Sequence, residues 1–399
     1  MLKTALHPLV IKGKSLLPIV QGGMGVGVSA HRLAGTVARL GGVGTISSVD
    51  LRRHHADLMA QTGKSRNKAL IDRANLIALD REIKAAKAMA QNIGMVAVNV
   101  MRAVAEYANY VKQACESGID AVVVGAGLPL DLPELTVDHP NVALVPILSD
   151  VRGIALIIKK WMRKNRLPDA IVIENPRYAA GHLGAAKIED VNNPHFAFPE
   201  VLEGTLQLFK DLGLEREKIP LITAGGINSH EQVRALMDMG ASAVQLGTAF
   251  AVTEEGDAHI NFKKVLAEAK PEDIVTFMSV AGLPARGVRT PWLANYLEKE
   301  AKLQRKAAPK DCTVGFDCLH ECGLRDGIAK HGQFCIDTQL AFAMNGDVKR
   351  GLFFRGSEKL PFGSEIRSVR ELIEFLLNGV RPAKADSAIA CPSTVVVPA

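Results

Sequence analysis

The sequence predicts an α/β fold, a closed parallel (β/α)8 TIM barrel with a C-terminal cysteine-containing extension. Eight short apolar runs rich in β-branched residues alternate with segments that have the periodicity of amphipathic helices. The runs do not alternate strictly between apolar and polar residues, which is typical of parallel strands covered by helices. The 399 residues, of which 48% are hydrophobic, suffice for a barrel of about 250 residues and an extension of roughly 100.

The predicted strands are spaced as in successive β/α units. They occupy residues 17–21, 43–47, 95–100, 121–124, 142–148, 170–174, 220–223 and 243–246. The clearest helical segments between them occupy residues 29–40, 104–117, 151–165 and 229–239. A count of eight strands favours a closed barrel over an open sheet.

Two segments depart from this regular alternation, residues 51–91 and the loop at residues 192–199. Residues 51–91 are too long for one connection and are predicted to form an extra loop and a long helix near the barrel mouth. After the barrel domain, residues 1–295, the composition changes, and we expect an extension over residues 296–399. Its predicted parts are helices at 295–308 and 369–377, a loop at 310–335 and a mobile tail at 381–399.

Composition argues against several classes of function. The net charge of +6 is small for this length, and the one basic run, residues 159–166, is interpreted as the solvated end of a helix. No aromatic residues stand beside it as stacking platforms, so we expect no nucleic-acid partner. The sequence shows neither a membrane span of about 18 apolar residues nor an export signal, which predicts a cytoplasmic protein without a membrane partner.

The first candidate ligand-binding feature is the turn that ends the first strand. Gly22, Gly23, Met24 and Gly25 follow the apolar run there. Because glycine has no Cβ atom, the main chain can approach a flat ligand closely. The same glycines also fit a plain tight turn, so this turn alone does not decide between the two interpretations.

Two further turns, after the seventh and eighth strands, carry the stronger signal. Gly225 and Gly226 follow one strand, and Gly247 and Thr248 follow the other. Turns at these two places in a barrel present backbone N–H groups to a phosphate group. Plain tight turns are the alternative, but glycines after both strands favour a phosphate site.

A histidine lies in the small-residue loop after the sixth strand. This loop, residues 175–184, contains His182. An imidazole titrates near neutral pH and can exchange protons with a substrate at the carboxyl end of the barrel. A lone histidine is more often structural, but this position favours an acid–base role.

These residues resemble the nitronate monooxygenase, or 2-nitropropane dioxygenase, family, which also includes barrel-type flavin enoyl-acyl-carrier-protein reductases and NAD(P)H:quinone reductases. The resemblance covers roughly residues 18–292 and returns in the last helix. It is carried by the turn Gly22-Gly23-Met24-Gly25, by Asn99, by the loop around His182 and by the turns at 224–227 and 245–248.

Position by position, the resemblance implies a noncovalent FMN site. It implies that Gly23, Met24 and Gly25 line the flavin ring, and that Asn99 and Glu174 stand near the isoalloxazine or the ribityl chain. It also implies His182 as the acid–base group, and a phosphate site formed by Gly225, Gly226, Gly247 and Thr248.

Two departures from the family pattern concern the substrate rather than the flavin. The family's loop commonly reads Glu-Ala-Gly-Gly-His, whereas residues 178–182 read Tyr-Ala-Ala-Gly-His here. Glu174 stands where a glutamine is commoner. The enzyme is therefore expected to act on a different acceptor or donor.

Four of the six cysteines lie close together in the extension. Cys312, Cys318, Cys322 and Cys335 are spaced C-x5-C-x3-C-x12-C in a loop with several glycines. Thiolates in such a loop can bind an iron–sulfur cluster or a tetrahedral zinc ion. The spacing matches neither the usual zinc pairs nor the ordinary ferredoxin run, so a [4Fe–4S] cluster is favoured while zinc and unligated thiols stay open.

The sequence thus predicts an enzyme, an FMN-dependent oxidoreductase that oxidises a small-molecule substrate with oxygen or another acceptor. A second interpretation is an enoyl or quinone reductase that uses FMN with NAD(P)H or an electron-transfer partner. A barrel that binds a phosphate ligand without redox chemistry is the alternative of another class. A homodimer is compatible with each.

Overall fold

The computed structural model describes residues 2–383, so the predicted tail lies outside the described residues from position 384 onward. The strands are β1 (Leu9–Ile11), β2 (Lys14–Leu16), β3 (Ile19–Gln21), β4 (Val43–Ser47), β5 (Met95–Met101), β6 (Ala121–Gly125), β7 (Ala143–Leu148), β8 (Ile171–Glu174), β9 (Gly181–His182), β10 (Leu221–Ala224), β11 (Ala243–Leu246), β12 (Ile274–Met278) and β13 (Pro284–Val288). The α-helices are α1 (His31–Arg39), α2 (Ala56–Thr62), α3 (Lys68–Ala90), α4 (Tyr107–Glu116), α5 (Leu132–Leu135), α6 (Val151–Met162), α7 (Phe198–Asp211), α8 (His230–Asp238), α9 (Thr248–Ala251), α10 (Ile260–Glu268), α11 (Pro291–Arg305), α12 (Gly323–Asp326), α13 (Ile336–Met344) and α14 (Val369–Asn378).

Eight of these strands close into a parallel barrel in the order β3-β4-β5-β6-β7-β8-β10-β11, with β11 paired to β3. This confirms the predicted (β/α)8 TIM barrel. Strands β4 and β11 have the predicted bounds, and the other six differ from them by two residues or fewer. Continuous apolar runs identify such strands well because both of their faces are buried.

The amino end of the barrel is closed by the β1–β2 hairpin, which the sequence did not predict. Leu9, Ile11 and Leu16 of the hairpin belong to the same buried cluster as inward-facing strand residues such as Val123 and Val145. Removing this apolar surface from water stabilises the closed end by about 25 cal/mol per Å². Among the described residues, the open end of the barrel is therefore the opposite, carboxyl end of the strands.

Helices cover the outside of the barrel. The predicted long helix of residues 51–91 is α3, which packs against α1 and α4, and α14 packs against α8 and α1. Helix α1 approaches β4 closely at Gly44, which has no Cβ atom. A Cβ atom there would lie 1.9 Å from the Ala34 carbonyl oxygen. Within residues 2–383, no helix combines the length and apolarity needed to cross a bilayer.

A small antiparallel sheet formed by β12, β13 and β9 lies beside the barrel and was also not predicted. It pairs Ala285 of β13 with His182 of β9. Residues on both sides of position 295 share one hydrophobic cluster with this sheet, among them Phe277, Leu293 and Leu352. The extension therefore packs directly on the sheet that carries the histidine.

Candidate active site

A cavity of about 770 Å³ opens at the carboxyl ends of the barrel strands. Seven of the eight strands contribute residues to its lining, and β3 contributes through the turn that follows it. Its volume is within the roughly 300–1,000 Å³ typical of ligand sites. All ten residues that the sequence assigned to the cofactor or to catalysis line it: Gly23, Met24, Gly25, Asn99, Glu174, His182, Gly225, Gly226, Gly247 and Thr248. The structure thus brings them together, while their individual roles remain predictions.

In the turn after β3, one glycine is required by a protein side chain rather than by a ligand alone. A Cβ atom at Gly23 would lie 2.3 Å from the Cβ atom of Asn99. The Gly22 N–H donates to the Leu246 carbonyl oxygen at 2.9 Å, which ties this turn to the last barrel strand. Gly23 therefore allows Asn99 to reach the cavity next to the turn.

The turns after β10 and β11 differ in how strictly they need glycine. Gly225 and Gly226 have φ angles of +107° and +76°, a region that favours glycine, and a Cβ atom at Gly226 would lie 2.7 Å from Tyr178 Cγ. Gly247 has a φ angle of −106°, and a Cβ atom there would meet Met24 Sδ at an ordinary 3.8 Å. The first turn is fixed by its backbone, whereas the second leaves open space on the cavity side.

His182 lies on β9, outside the barrel sheet. The Leu183 N–H donates to the Pro284 carbonyl oxygen at 2.8 Å and helps to hold β9 against β13. The buried Nε2 atom of His182 has no hydrogen-bond partner among the described residues. Burial lowers the pKa of this imidazole to about 4, so at neutral pH it is uncharged and able to accept a proton.

Glu174 ends β8 and lines the same cavity. Burial raises the pKa of its carboxyl group to about 7, with no contribution from a charged neighbour. The two cavity groups therefore have pKa values displaced in opposite directions. This arrangement provides a proton acceptor at His182 and a proton donor at Glu174 near neutral pH.

A buried arginine that the sequence analysis missed holds the loop before His182. Arg286 of β13 donates through Nη1 to the carbonyl oxygens of Pro176 at 3.1 Å and Ala179 at 2.7 Å. These partners are 110 and 107 residues away in sequence. No local motif marks Arg286, because its role depends on pairing between distant segments.

The extension supplies a second wall of the cavity, which the sequence analysis also missed. The ring centroid of Phe354 is 6.3 Å from that of His182. The Gly356 N–H donates to Thr248 Oγ1 at 3.1 Å, and Lys359 also lines the cavity. The extension therefore borders both the histidine and the predicted phosphate turn.

The metal centre predicted for the four cysteines of the extension is not supported by the described part of the chain. Cys318 lines the cavity, and burial, followed by the Asp337 carboxyl and the other three thiols, raises its pKa well above the usual value. Cys312 Sγ donates to a backbone carbonyl oxygen at 3.0 Å, and Thr338 Oγ1 donates to Cys335 Sγ at 3.2 Å. Across residues 2–383, no three histidine, cysteine or acidic side chains are grouped to hold a metal ion. Neither a [4Fe–4S] cluster nor zinc is supported, because the described residues show no such grouping and two of the thiols have separate hydrogen-bond partners.

Curated relatives match part of this chain. The chain is 26% identical to a "Probable nitronate monooxygenase" of Staphylococcus saprophyticus over 288 residues, which cover 69% of this chain and 76% of the relative. It is 27% identical to a "Probable nitronate monooxygenase" of Bacillus subtilis over 290 residues, which cover 69% of this chain and 77% of the relative. A nitronate monooxygenase of Pseudomonas aeruginosa is 32% identical over 120 residues, 30% of this chain and 31% of the relative.

Solved structures share the fold at lower identity. FabK from Thermotoga maritima has a TM-score of 0.63 at 23% identity and covers 90% of this chain and 91% of its own. A nitroalkane oxidase from Streptomyces ansochromogenes has a TM-score of 0.60 at 19% identity, over 90% and 94% of the two chains. The sequence model of the nitronate monooxygenase family matches residues 9–379 and thus includes most of the extension. The chain therefore belongs to the nitronate monooxygenase family and is an oxidoreductase of that type.

Proposed function

We propose that this oxidoreductase uses FMN and oxidises a small organic substrate of the nitronate class with oxygen or another acceptor. The observation that carries the proposal is the convergence of three glycine-rich turns and His182 on one cavity of about 770 Å³. FMN, when bound, supplies the two-electron redox chemistry that no amino-acid side chain of the cavity offers. A cytoplasmic enzyme with a small-molecule substrate is the simplest context for this activity.

The turns at the carboxyl end of the barrel fit the phosphate and the flavin ring. Backbone N–H groups at Gly225, Gly226 and Thr248 would hold the phosphate, because glycine leaves them open to the cavity. The strand-one turn and Asn99 would line the ring. The space around Gly247 is compatible with this assignment, because a Cβ atom there would meet no protein atom closer than 3.8 Å.

His182 would exchange a proton with the substrate. Its neutral imidazole has an Nε2 atom that no described protein group occupies, so it can accept the carbon-bound proton of a neutral nitroalkane, the proton that a nitronate has already lost. Phe354 and Leu183 line the cavity near the histidine and help to exclude water from the site. Arg286 keeps the loop in place through its two backbone contacts.

One absorbance spectrum and one activity assay test the proposal. Purified protein is expected to show flavin absorbance, to release FMN on denaturation in about one equivalent, and to consume oxygen with alkyl nitronates. Protein that is colourless and does not bind added FMN would refute the cofactor assignment. Protein that binds FMN but leaves nitronates unchanged would refute the substrate class alone.

A second candidate function is an NAD(P)H-dependent enoyl or quinone reductase, which Glu174 specifically favours. Reduction of an activated double bond needs a proton donor as well as a hydride from NAD(P)H, and a carboxyl group with a pKa of about 7 can donate one at neutral pH. Anaerobic NAD(P)H oxidation with enoyl thioesters or quinones tests this alternative. Rapid acceptor-dependent oxidation, with slow turnover of nitronates, would favour the reductase.

A further inference from the structure

A segment of the extension crosses the carboxyl end of the barrel beside the predicted phosphate turn. We name residues 354–361 the C-terminal strap. Its Gly356 N–H donates to Thr248 Oγ1 at 3.1 Å, and its Ser357 N–H donates to the Tyr178 carbonyl oxygen at 3.4 Å. A Cβ atom at Gly356 would lie 2.7 Å from that same carbonyl oxygen. The strap is therefore closely fitted between the loop after β8 and the turn after β11.

A buried arginine anchors the strap through its backbone. Arg355 Nε donates to the Leu266 carbonyl oxygen at 2.8 Å, and Nη1 donates to the carbonyl oxygens of Gly356 at 2.7 Å and Glu358 at 3.1 Å. Burial lowers the pKa of Arg355 and of Arg286, and the Glu358 carboxylate partly offsets this in both. The two guanidinium groups are thus committed to backbone carbonyl oxygens.

Lys359 is a different kind of charge on the same strap. Among the described residues that line the cavity, the lysines and arginines are Arg152 and Lys359. Arg152 lies at the start of α6, after the fifth barrel strand, whereas Lys359 follows Gly356 by three residues and lies at the exposed edge of the cavity. The salt bridges that the described extension forms use other side chains. Lys359 is therefore a cation of the cavity lining that no described carboxylate neutralises.

We propose that the C-terminal strap is part of the cofactor site and that Lys359 is the cation that pairs with the FMN phosphate. The inference rests on the proposed use of FMN. The turns after β10 and β11 offer the phosphate dianion only backbone N–H groups and the Thr248 hydroxyl, and an ammonium group adds a charge-assisted contact. Because Lys359 is exposed, solvent and salt screen this pair, and its effect on affinity is moderate.

Comparing FMN with riboflavin isolates the phosphate contact. Apoprotein is titrated with each flavin by fluorescence quenching at low and at high salt. Lys359→Met is expected to raise the Kd for FMN about 5- to 20-fold at low salt, to leave the Kd for riboflavin unchanged, and to lose most of the difference at high salt. Lys349→Met, at an exposed lysine of the same extension that does not line the cavity, is the matched control and should bind both flavins as the wild type does.

Three results would overturn the inference. They are an unchanged FMN affinity in Lys359→Met, whatever its KM for the nitronate, an equal loss for FMN and riboflavin, and a wild type that binds neither flavin. Only the last of these would also refute the proposed function. Gly356→Ala tests the strap independently, because its methyl group should displace the strap and weaken the binding of both FMN and riboflavin. Unchanged binding of both flavins would show that the strap is not part of the site.

Discussion

The two walls of the cavity are built in different ways. The barrel wall consists of residues at strand ends, such as Gly225 and Gly247, which lie within a few positions of an apolar run. The extension wall reaches the cavity through contacts between distant segments, such as the hydrogen bond from Gly356 to Thr248 across 108 residues. The barrel wall holds the turns assigned to the cofactor, His182 lies on β9 between the two walls, and the extension adds Phe354 and Lys359 to the cavity. In this fold, local sequence patterns predict which residues lie at the strand ends, but not which distant segment of the chain covers them.

The largest expected effect tests the barrel wall through its phosphate turn. Gly247→Asp should raise the Kd for FMN by about 100-fold or more, because the carboxylate would face the phosphate in space that no protein atom occupies. Gly247→Asn has nearly the same shape without the charge and should lose much less affinity. Equilibrium binding of FMN to the apoproteins measures both. Equal losses in the two variants would point to steric blockage and not to a phosphate at this turn.

Gly226→Asp tests the other turn, where strain adds to repulsion. Its φ angle of +76° and the 2.7 Å approach to Tyr178 make any side chain costly there, so we expect FMN binding to be lost. Gly213→Asp is the control for strain, because Gly213 has a φ angle of +67° and open space around the added Cβ position. If both Gly226→Asp and Gly247→Asp retained full flavin, the phosphate would have to bind elsewhere.

The next effect concerns proton transfer at the junction of the two walls. His182→Ala should retain FMN and lower kcat by roughly 10²- to 10⁴-fold, the usual contribution of a positioned acid or base. His195→Ala is the control, since His195 also lines the cavity but lies on the loop before α7. Turnover is measured with a nitroalkane and with its nitronate. The reverse result, a large loss only in His195→Ala, would move the acid–base role to that residue.

The sequence predicted the barrel wall because its signals are local. Apolar runs located the eight strands, and glycines and a histidine at their ends, together with the family resemblance for Asn99 and Glu174, identified ten residues that share one cavity. It did not predict β9 or its pairing with β13, since a two-residue strand has no periodicity and Arg286 bonds to carbonyls more than 100 residues away. Cysteine spacing suggested a metal centre, but spacing does not fix where the four sulfur atoms lie. The family match through residue 379 shows that the extension belongs with the barrel.

A smaller effect follows from the raised pKa of Glu174 at the end of β8. The folded protein holds the Glu174 proton up to about pH 7, against an ordinary value of 4.5. The stability that this proton contributes is fully present below pH 4.5 and is lost as the pH rises through about 7. Glu174→Gln cannot lose a proton, so the Tm of its apoprotein should rise relative to wild type by roughly 2 °C between pH 5 and pH 8.

Thermal unfolding of the apoproteins across this pH range measures the difference. Glu203→Gln, on the exposed face of α7, is the control and should keep a constant offset from wild type. A constant offset for Glu174→Gln as well would contradict the raised pKa. In the holoenzyme, the same substitution should remove any dependence of reductase turnover on a group that titrates near pH 7.

The smallest effect belongs to the extension wall and concerns the reactivity of Cys318. Because burial raises the pKa of this thiol well above its usual value, very little thiolate is present at pH 7.5, and iodoacetamide should label Cys318 at least about 10-fold more slowly than a free cysteine. Saturating FMN should slow labelling further, because Cys318 lines the same cavity. Peptide mass spectrometry over time measures both labelling rates. Because a metal-bound thiolate would also react slowly, iron, sulfide and zinc are determined on the same anaerobically handled sample. Stoichiometric iron and sulfide would contradict the description of these residues as protonated thiols and reinstate the cluster that their spacing suggested.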